Sequence, residues 1–356
     1  MPLFAYKDLL AFAEAALETI GVRKPDAATM ATYLAKADLN GYPAHGVAHI
    51  PFDLKHIKAG DVDLSANPEV VRDGKTTAIV DGHGYLGQIT ADMAMRLGIE
   101  KAKTYGSGTI AVRRSAHVGR LANYHEIAAD AGMISMSFVS LSGGGVVAPF
   151  GGLQPFSGTN PMGYGIPVRN GNHLLLDFAT ASMSTGQIRE RVAKGEELPP
   201  GVLVDQKGTP RTKPQQGENR TMTLPFGGYK GGGLQLITEV LGGVLTGDGH
   251  GAKRAGGNVP MNAYTFQVFA VEEFQSLESF YDGMDEMIAY LKSRKRAPGV
   301  DEILVPGERS RRHAEHALRN GAEIEDALWD TVIKLAEDLS LSDKLPAPLA
   351  HGAAIQ

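Results

Sequence analysis

The sequence predicts a mixed α/β (α+β) protein with a predominantly antiparallel central sheet, flanking helices, and a helical domain built from both chain ends. Apolar residues recur at helical spacing near both termini, whereas short β-type runs dominate the middle. Those runs follow one another with only some helices between them, unlike the strict alternation of a parallel βαβ sheet. The dinucleotide fingerprint occurs only as Gly82-x-Gly84-x-x-Gly87, with no acidic residue at the end of a following strand. A non-Rossmann fold is therefore expected. Residues 1–69 with 309–345 form the expected helical domain and 70–308 the sheet domain. An excursion is expected at about 189–219 and a loose tail at 346–356.

In order, Leu9, Leu10, Phe12, Ala13, Ala16, Leu17 and Ile20 mark a first helix, stopped by Gly21. Pro25-Asp26 opens a second, which runs through Met30, Tyr33, Leu34 and Ala37 to Asn40-Gly41. A short third helix covers 49–59. Strands are expected at 77–81, 109–112, 133–139, 163–168, 174–177 and 264–271. Helices are expected at 88–105, 120–131, 232–246, 274–293, 310–320 and 324–339. Glycine-rich connections fall at 142–145 and 247–258.

At 356 residues the chain is long for one core. The net charge of −5 argues against a dedicated nucleic-acid or anionic-membrane binder. The absence of Cys removes disulfides and thiol nucleophiles, in keeping with a cytoplasmic chain. Met1-Pro2-Leu3-Phe4 has neither the basic start nor the apolar run of a signal peptide or membrane span.

The chemistry centres on Gly41-Tyr42-Pro43-Ala44-His45-Gly46-Val47-Ala48-His49. Imidazole titrates near neutrality, so His45 can give or take a proton, and Gly46 lets another group approach closely. On spacing alone the stretch reads equally well as a helix end with two solvated histidines. Zinc is not expected: Gly46 stands where a hydrolytic motif carries Glu, and no third ligand is placed. Lys230, in a glycine-rich turn before an apolar helix, suits a phosphate; its bland alternative is a solvated loop lysine. Asp177 by itself reads as a capping carboxylate, and His117 equally as a structural histidine.

Seven segments then share one resemblance: Ala44-His45-Gly46-Val47, His117-x-Gly119, Ala148-Pro149-Phe150-Gly151-Gly152, Gly158-Thr159-Asn160-Pro161, Leu176-Asp177-Phe178-Ala179-Thr180, 224–231 and 241–247. In this order they resemble the malate/L-lactate dehydrogenase family, nearest its hydroxycarboxylate dehydrogenase branch. The resemblance implies a homodimeric oxidoreductase using NAD or NADP on a small 2-hydroxy or 2-oxo acid. Reduction of cyclic or N-alkyl imines of 2-oxo acids is the second reading within the family. It further implies that His45 is the acid–base residue, that Asp177 orients it, and that His117 lies near nicotinamide or substrate. Ser140, Thr159, Asn160, Asp177, Phe178, Ala179, Lys230, Pro306, Gly307 and Glu308 are expected near the cofactor.

Two departures bear on the substrate. The family pattern is Ser-His-Gly-x-x-Arg, whose Arg pairs with the substrate carboxylate; here Ala44 and His49 take the Ser and Arg places. A neutral imidazole does not replace a bidentate guanidinium. With an ordinary pKa of about 6.5, His49 would hold an anion only when protonated, so the KM for an oxo acid would rise between pH 6 and 8. Arg120 and Arg189 are the alternative anchors.

Overall fold

The computed structural model describes residues 1–142, 145–217, 220–251 and 261–349. The expected glycine-rich connections and the tail therefore fall partly outside the described residues.

Seven strands form the central sheet: β2 (Glu69–Asp73), β3 (Thr77–Asp81), β4 (Ser107–Ser115), β5 (Met133–Leu141), β6 (Pro161–Ile166), β7 (Leu174–Ala179) and β11 (Asn262–Ala270). Their spatial order is β2-β3-β4-β11-β5-β6-β7, and only β3 and β4 run parallel. The antiparallel expectation holds because most connections are hairpin-like or long returns. The one parallel pair is joined by the helix α4 (Gly87–Tyr105), as a crossover requires. β11, far along the chain, inserts between β4 and β5; Tyr264 pairs with Val112 on one side and Val139 on the other.

Two apolar cores follow. Val80, Ile110, Val112, Val139, Tyr264 and Phe266 from the sheet pack with Ala91, Met95 and Ile99 of α4 and with Tyr124 and Ala128 of α5 (Ala122–Asp130). Phe4, Leu9, Phe12, Leu17, Met30 and Leu34 share the other core with Trp329, Val332 and Leu335. It joins α1 (Tyr6–Thr19) and α2 (Lys24–Leu39) near the start to α10 (Asp326–Asp338) near the end. Burying each such Leu or Phe contributes about 1.5–3 kcal/mol before entropy is counted. The two-residue strands β1 (Leu3–Phe4) and β12 (Ala322–Glu323) pair antiparallel and tie the ends together. The expected loose tail begins docked: the Leu349 N–H donates to the Leu3 carbonyl at 2.8 Å.

The excursion at 189–219 is more ordered than its polar composition suggests. It contains most of α6 (Thr185–Ala193), started by a Ser184/Gln187 capping box, and the strands β8 (Leu203–Asp205) and β9 (Pro210–Arg211). With β10 (Thr221–Thr223) these strands form a small sheet, in which Asp205 accepts from Lys207 N, Thr209 N and Arg211. The apolar helix expected at 232–246 begins earlier, as α7 (Tyr229–Glu239), and ends in a π-helical turn, Val240–Val244.

In the Gly82–Gly87 turn, packing accounts for two of the glycines. A β-carbon on Gly87 would stand 2.1 Å from the His117 carbonyl oxygen, and one on Gly82 would stand 2.7 Å from that of Arg114. The glycines let the start of α4 press on the 114–117 backbone, which fixes where His117 sits.

Candidate active site

His45 leaves α2 through two single 3-10 turns, Pro43–His45 and Val47–His49, which run into α3 (Ile50–Lys58). What shapes this turn is Asp38, fully buried on α2, whose Oδ2 accepts from the Val47 N–H at 2.9 Å. A β-carbon on Gly46 would lie 1.8 Å from Asp38 Oδ1, so the group that glycine admits is this carboxylate. The end of α2 is clamped by α9 (Glu308–Asn320): His313 Nδ1 pairs with the Leu39 carbonyl at 2.8 Å, and Ser310 Oγ donates to Asn40 Oδ1. Both chain ends therefore position the histidine.

The fold brings three imidazoles together. The His45 and His117 rings are nearly parallel with centroids 5.7 Å apart, and His49 lies 4.5 Å from His117 and 6.3 Å from His45. His45 Nδ1, His49 Nε2 and His117 Nδ1 are buried without a hydrogen-bond partner. Burial holds all three pKa values down; His49 and Arg120 press His45 lower still while Asp177 opposes them. For His49 the value is pushed down to about 4, with a backbone bond to Ala44 opposing the fall and His56 adding to it. His49 therefore departs from the ordinary imidazole of the expectation, because burial outweighs its neighbours.

Asp177 lies on β7 beside Arg120, with its Oδ2 accepting from the Ala122 N–H at 3.2 Å. No hydrogen bond joins Asp177 to His45; the two interact through space, in the sense that favours the imidazolium. Burial pushes the Asp177 pKa up, against the Ala122 N–H, Arg120 and His45. The residue keeps an exposed surface on β7, so water tempers that push. Arg120 is 7% exposed, donates to Asn123 Oδ1 at 2.8 Å and lies 5.2 Å from the Tyr42 ring centroid. Of the two proposed arginines it is the one built into the site. Arg189 is exposed on α6, whose Gly186 approaches Ala44: a β-carbon there would be 3.9 Å from the Ala44 methyl.

The expected cofactor residues divide. Phe178, Ala179 and Thr159 are half-buried at the β6–β7 end, where Phe178 meets Phe226 edge-on at 5.5 Å. This contact brings β7 beside the turn into α7, whose exposed second residue is Lys230. Ser140 and Asn160 are fully buried and turned to Glu239: Ser140 Oγ donates to Oε1 at 2.7 Å, and Asn160 Nδ2 donates to Oε2. They brace this wall. Glu308 is likewise 4% exposed and held by Lys292 at 2.6 Å and by Arg312, a structural ion cluster. Pro306 and Gly307 lie against the start of β7; the Pro306 carbonyl accepts from Leu175 N at 3.3 Å.

Sequence reasoning missed Asp38, Asp53 and Glu239, all buried carboxylates. Asp53 stands one helical turn beyond His49, a spacing that could have pointed to it; Glu239 is a lone acid in an apolar helix. A separate hollow between α1 and residues 343–347, lined by Asp8, Phe12, Asp343, Lys344 and Pro346, includes none of the clustered histidines.

Residues 4–333 match the family model described as malate/L-lactate dehydrogenase. The chain belongs to that family. It is 32% identical over 329 residues to a malate/(S)-sulfolactate dehydrogenase of Methanothermus fervidus, covering 91% of this chain and 94% of that one. It is 30% identical over 348 residues to hydroxycarboxylate dehydrogenase B of Escherichia coli strain K12, covering 96% and 95%. The solved malate dehydrogenase of Pyrococcus horikoshii OT3 superposes with a TM-score of 0.86 at 29% identity, covering 98% of this chain and 97% of that one. Family membership makes this chain a dehydrogenase acting on a CH–OH group, and dehydrogenases of this family use nicotinamide cofactors.

Proposed function

We propose that the protein interconverts a small 2-hydroxy acid and its 2-oxo acid with NAD or NADP, using His45 as the proton-transferring residue. The observation that carries this is the cluster itself: an imidazole with an orphaned nitrogen stands beside two others, a carboxylate and a buried guanidinium. These orphaned, half-buried groups suit a polar ligand carrying a carboxylate and a reacting oxygen. When bound, the nicotinamide supplies or accepts the hydride.

The chain's own residues do the rest. In the reducing direction protonated His45 gives its proton to the developing alkoxide; in the oxidising direction the neutral ring takes the hydroxyl proton. Burial favours the neutral ring, which suits the base, and Asp177 offsets part of that bias by favouring the cation. Arg120 holds the substrate carboxylate, with Tyr42 over its guanidinium. Thr159, Phe178 and Ala179 line the cofactor side. Lys230, exposed in the glycine-rich first turn of α7, would hold a phosphate of the dinucleotide.

A homodimer, acting in the cytoplasm, completes the proposal. Leu236, Ile237, Val240, Val244 and Leu245 leave an exposed apolar strip on α7 and the π-helical turn. Among the described residues no helix is long and apolar enough to cross a membrane. The direct test mixes the protein with NADH or NADPH and a panel of 2-oxo acids, plus a cyclic imine of one, and follows loss of reduced-cofactor absorbance. Oxidation of either cofactor with an oxo acid is expected; no turnover with any member refutes the proposal.

A further inference from the structure

His49 and Asp53 lie one turn apart where the 3-10 turn enters α3, with His49 Nε2 3.7 Å from Asp53 Oδ1. Both side chains are nearly closed to water, and His49 Nε2 and Asp53 Oδ2 have no hydrogen-bond partner. Two orphaned polar groups facing each other are costly unless a proton lies between them. A backbone contact with Ala44 favours a hydrogen on the ring, and with the proton of the pair on Asp53 the lone pair of His49 Nε2 faces that carboxyl. The groups acting on this pair are His45 and His117 from the cluster and His56 from the next turn of α3, itself bound to Asp61 at 2.8 Å. Burial raises the Asp53 pKa to about 8, with His56 opposing, so the carboxyl keeps its proton near neutrality.

We propose that Asp53 stores a proton for His49 and hands it over when an anionic group enters the histidine cluster. The Asp53 O–H bond breaks and its electron pair stays on the carboxylate, while an Nε2–H bond forms and the ring becomes imidazolium. The total charge is unchanged and no proton is taken from solvent. His49 then presents positive charge beside His45 and His117, and Asp53, which touches no substrate, acts as a positioning residue. The anion envisaged is the carboxylate of a 2-oxo acid, so this rests on the proposed dehydrogenase function.

Oxamate, an unreactive isostere of a 2-oxo acid, is the probe, added to the full chain with saturating dinucleotide. In ¹⁵N spectra of labelled protein, with His49 assigned by its loss in His49→Gln, the ring should change from Nδ1–H alone to protonation of both nitrogens on oxamate binding. Calorimetry at pH 7 in two buffers of different ionisation enthalpy should show no net proton uptake. In Asp53→Asn the proton must come from solvent, so the oxamate Kd should rise about tenfold per pH unit between pH 6 and 8, where the wild type is flat. A merely structural role would not create that slope. Should Asp53→Asn fail to fold, the wild-type spectra decide. A His49 ring that stays neutral at saturation, an absence of oxamate binding, or an Asp53→Asn Kd matching wild type at every pH would overturn the proposal. Turnover of the oxo-acid panel, measured separately, reports on the dehydrogenase reading alone.

Discussion

Replacing His45 with Ala should lower turnover by about two to four orders of magnitude, the usual loss for a general acid–base, and leave cofactor affinity little changed. Near-normal turnover would remove His45 from the mechanism. Because burial holds the His49 pKa well down, the free ring gains no proton from solvent in this range, and the KM for an oxo acid should be flat from pH 6 to 8, unlike that of an ordinary imidazole anchor. Arg120→Ala should raise that KM by tenfold or more, as loss of a charge-assisted contact of about 1.5–3 kcal/mol implies. Asp38 makes a stability prediction. Burial raises its pKa to about 8, with the Val47 N–H opposing. A carboxyl raised in the fold stabilises fully below its unfolded pKa, and that contribution is lost as pH climbs to the folded value. Between pH 6 and 8 the wild type should therefore lose stability on the order of 1 kcal/mol per pH unit from this group. Asp38→Asn, which keeps an acceptor for Val47, should flatten that slope in melts taken at several pH values.

Elements carry the next predictions. The start of α4 touches the 116–117 backbone at Gly87, with no space for a β-carbon. Gly87→Ala should cost about 1–3 kcal/mol by overpacking and, by displacing His117, should also alter oxo-acid KM. Denaturant melts and steady-state kinetics on one preparation check both; a change in neither would separate this contact from the site. Lys230, exposed at the start of α7, should affect the dinucleotide more than the acid. Lys230→Ala is expected to raise the cofactor KM selectively and to weaken its salt dependence. An unchanged cofactor titration by fluorescence places Lys230 outside the site.

For the whole molecule, the apolar strip of α7 and the π-helical turn predicts association. Light scattering should give twice the chain mass, and Val244→Glu together with Leu245→Asp should shift the species toward monomer without unfolding it, since both side chains are more than half exposed in the single chain. A wild-type mass of one chain would dismiss the dimer. The same scale explains why His45 depends on distant sequence. α9 clamps the end of α2, so Ser310 and His313, some 270 residues away, set the geometry of the turn.

The sequence by itself determined the antiparallel character of the sheet, most of its helices, and the family, because hydrophobic period and local glycine signals are properties of short segments. Its pairing of His45 with His117 and Asp177 came through resemblance, and the fold does gather those residues. Only tertiary structure decided the rest. That Ser140 and Asn160 brace Glu239, that Glu308 belongs to an ion cluster, and that the excursion holds a small sheet all depend on partners far apart in sequence. The charge of His49 was likewise undecidable from residue type. Its reference pKa describes a ring in water, whereas the ring here lies under Phe52 and beside His117 with little solvent, and desolvation disfavours its cation.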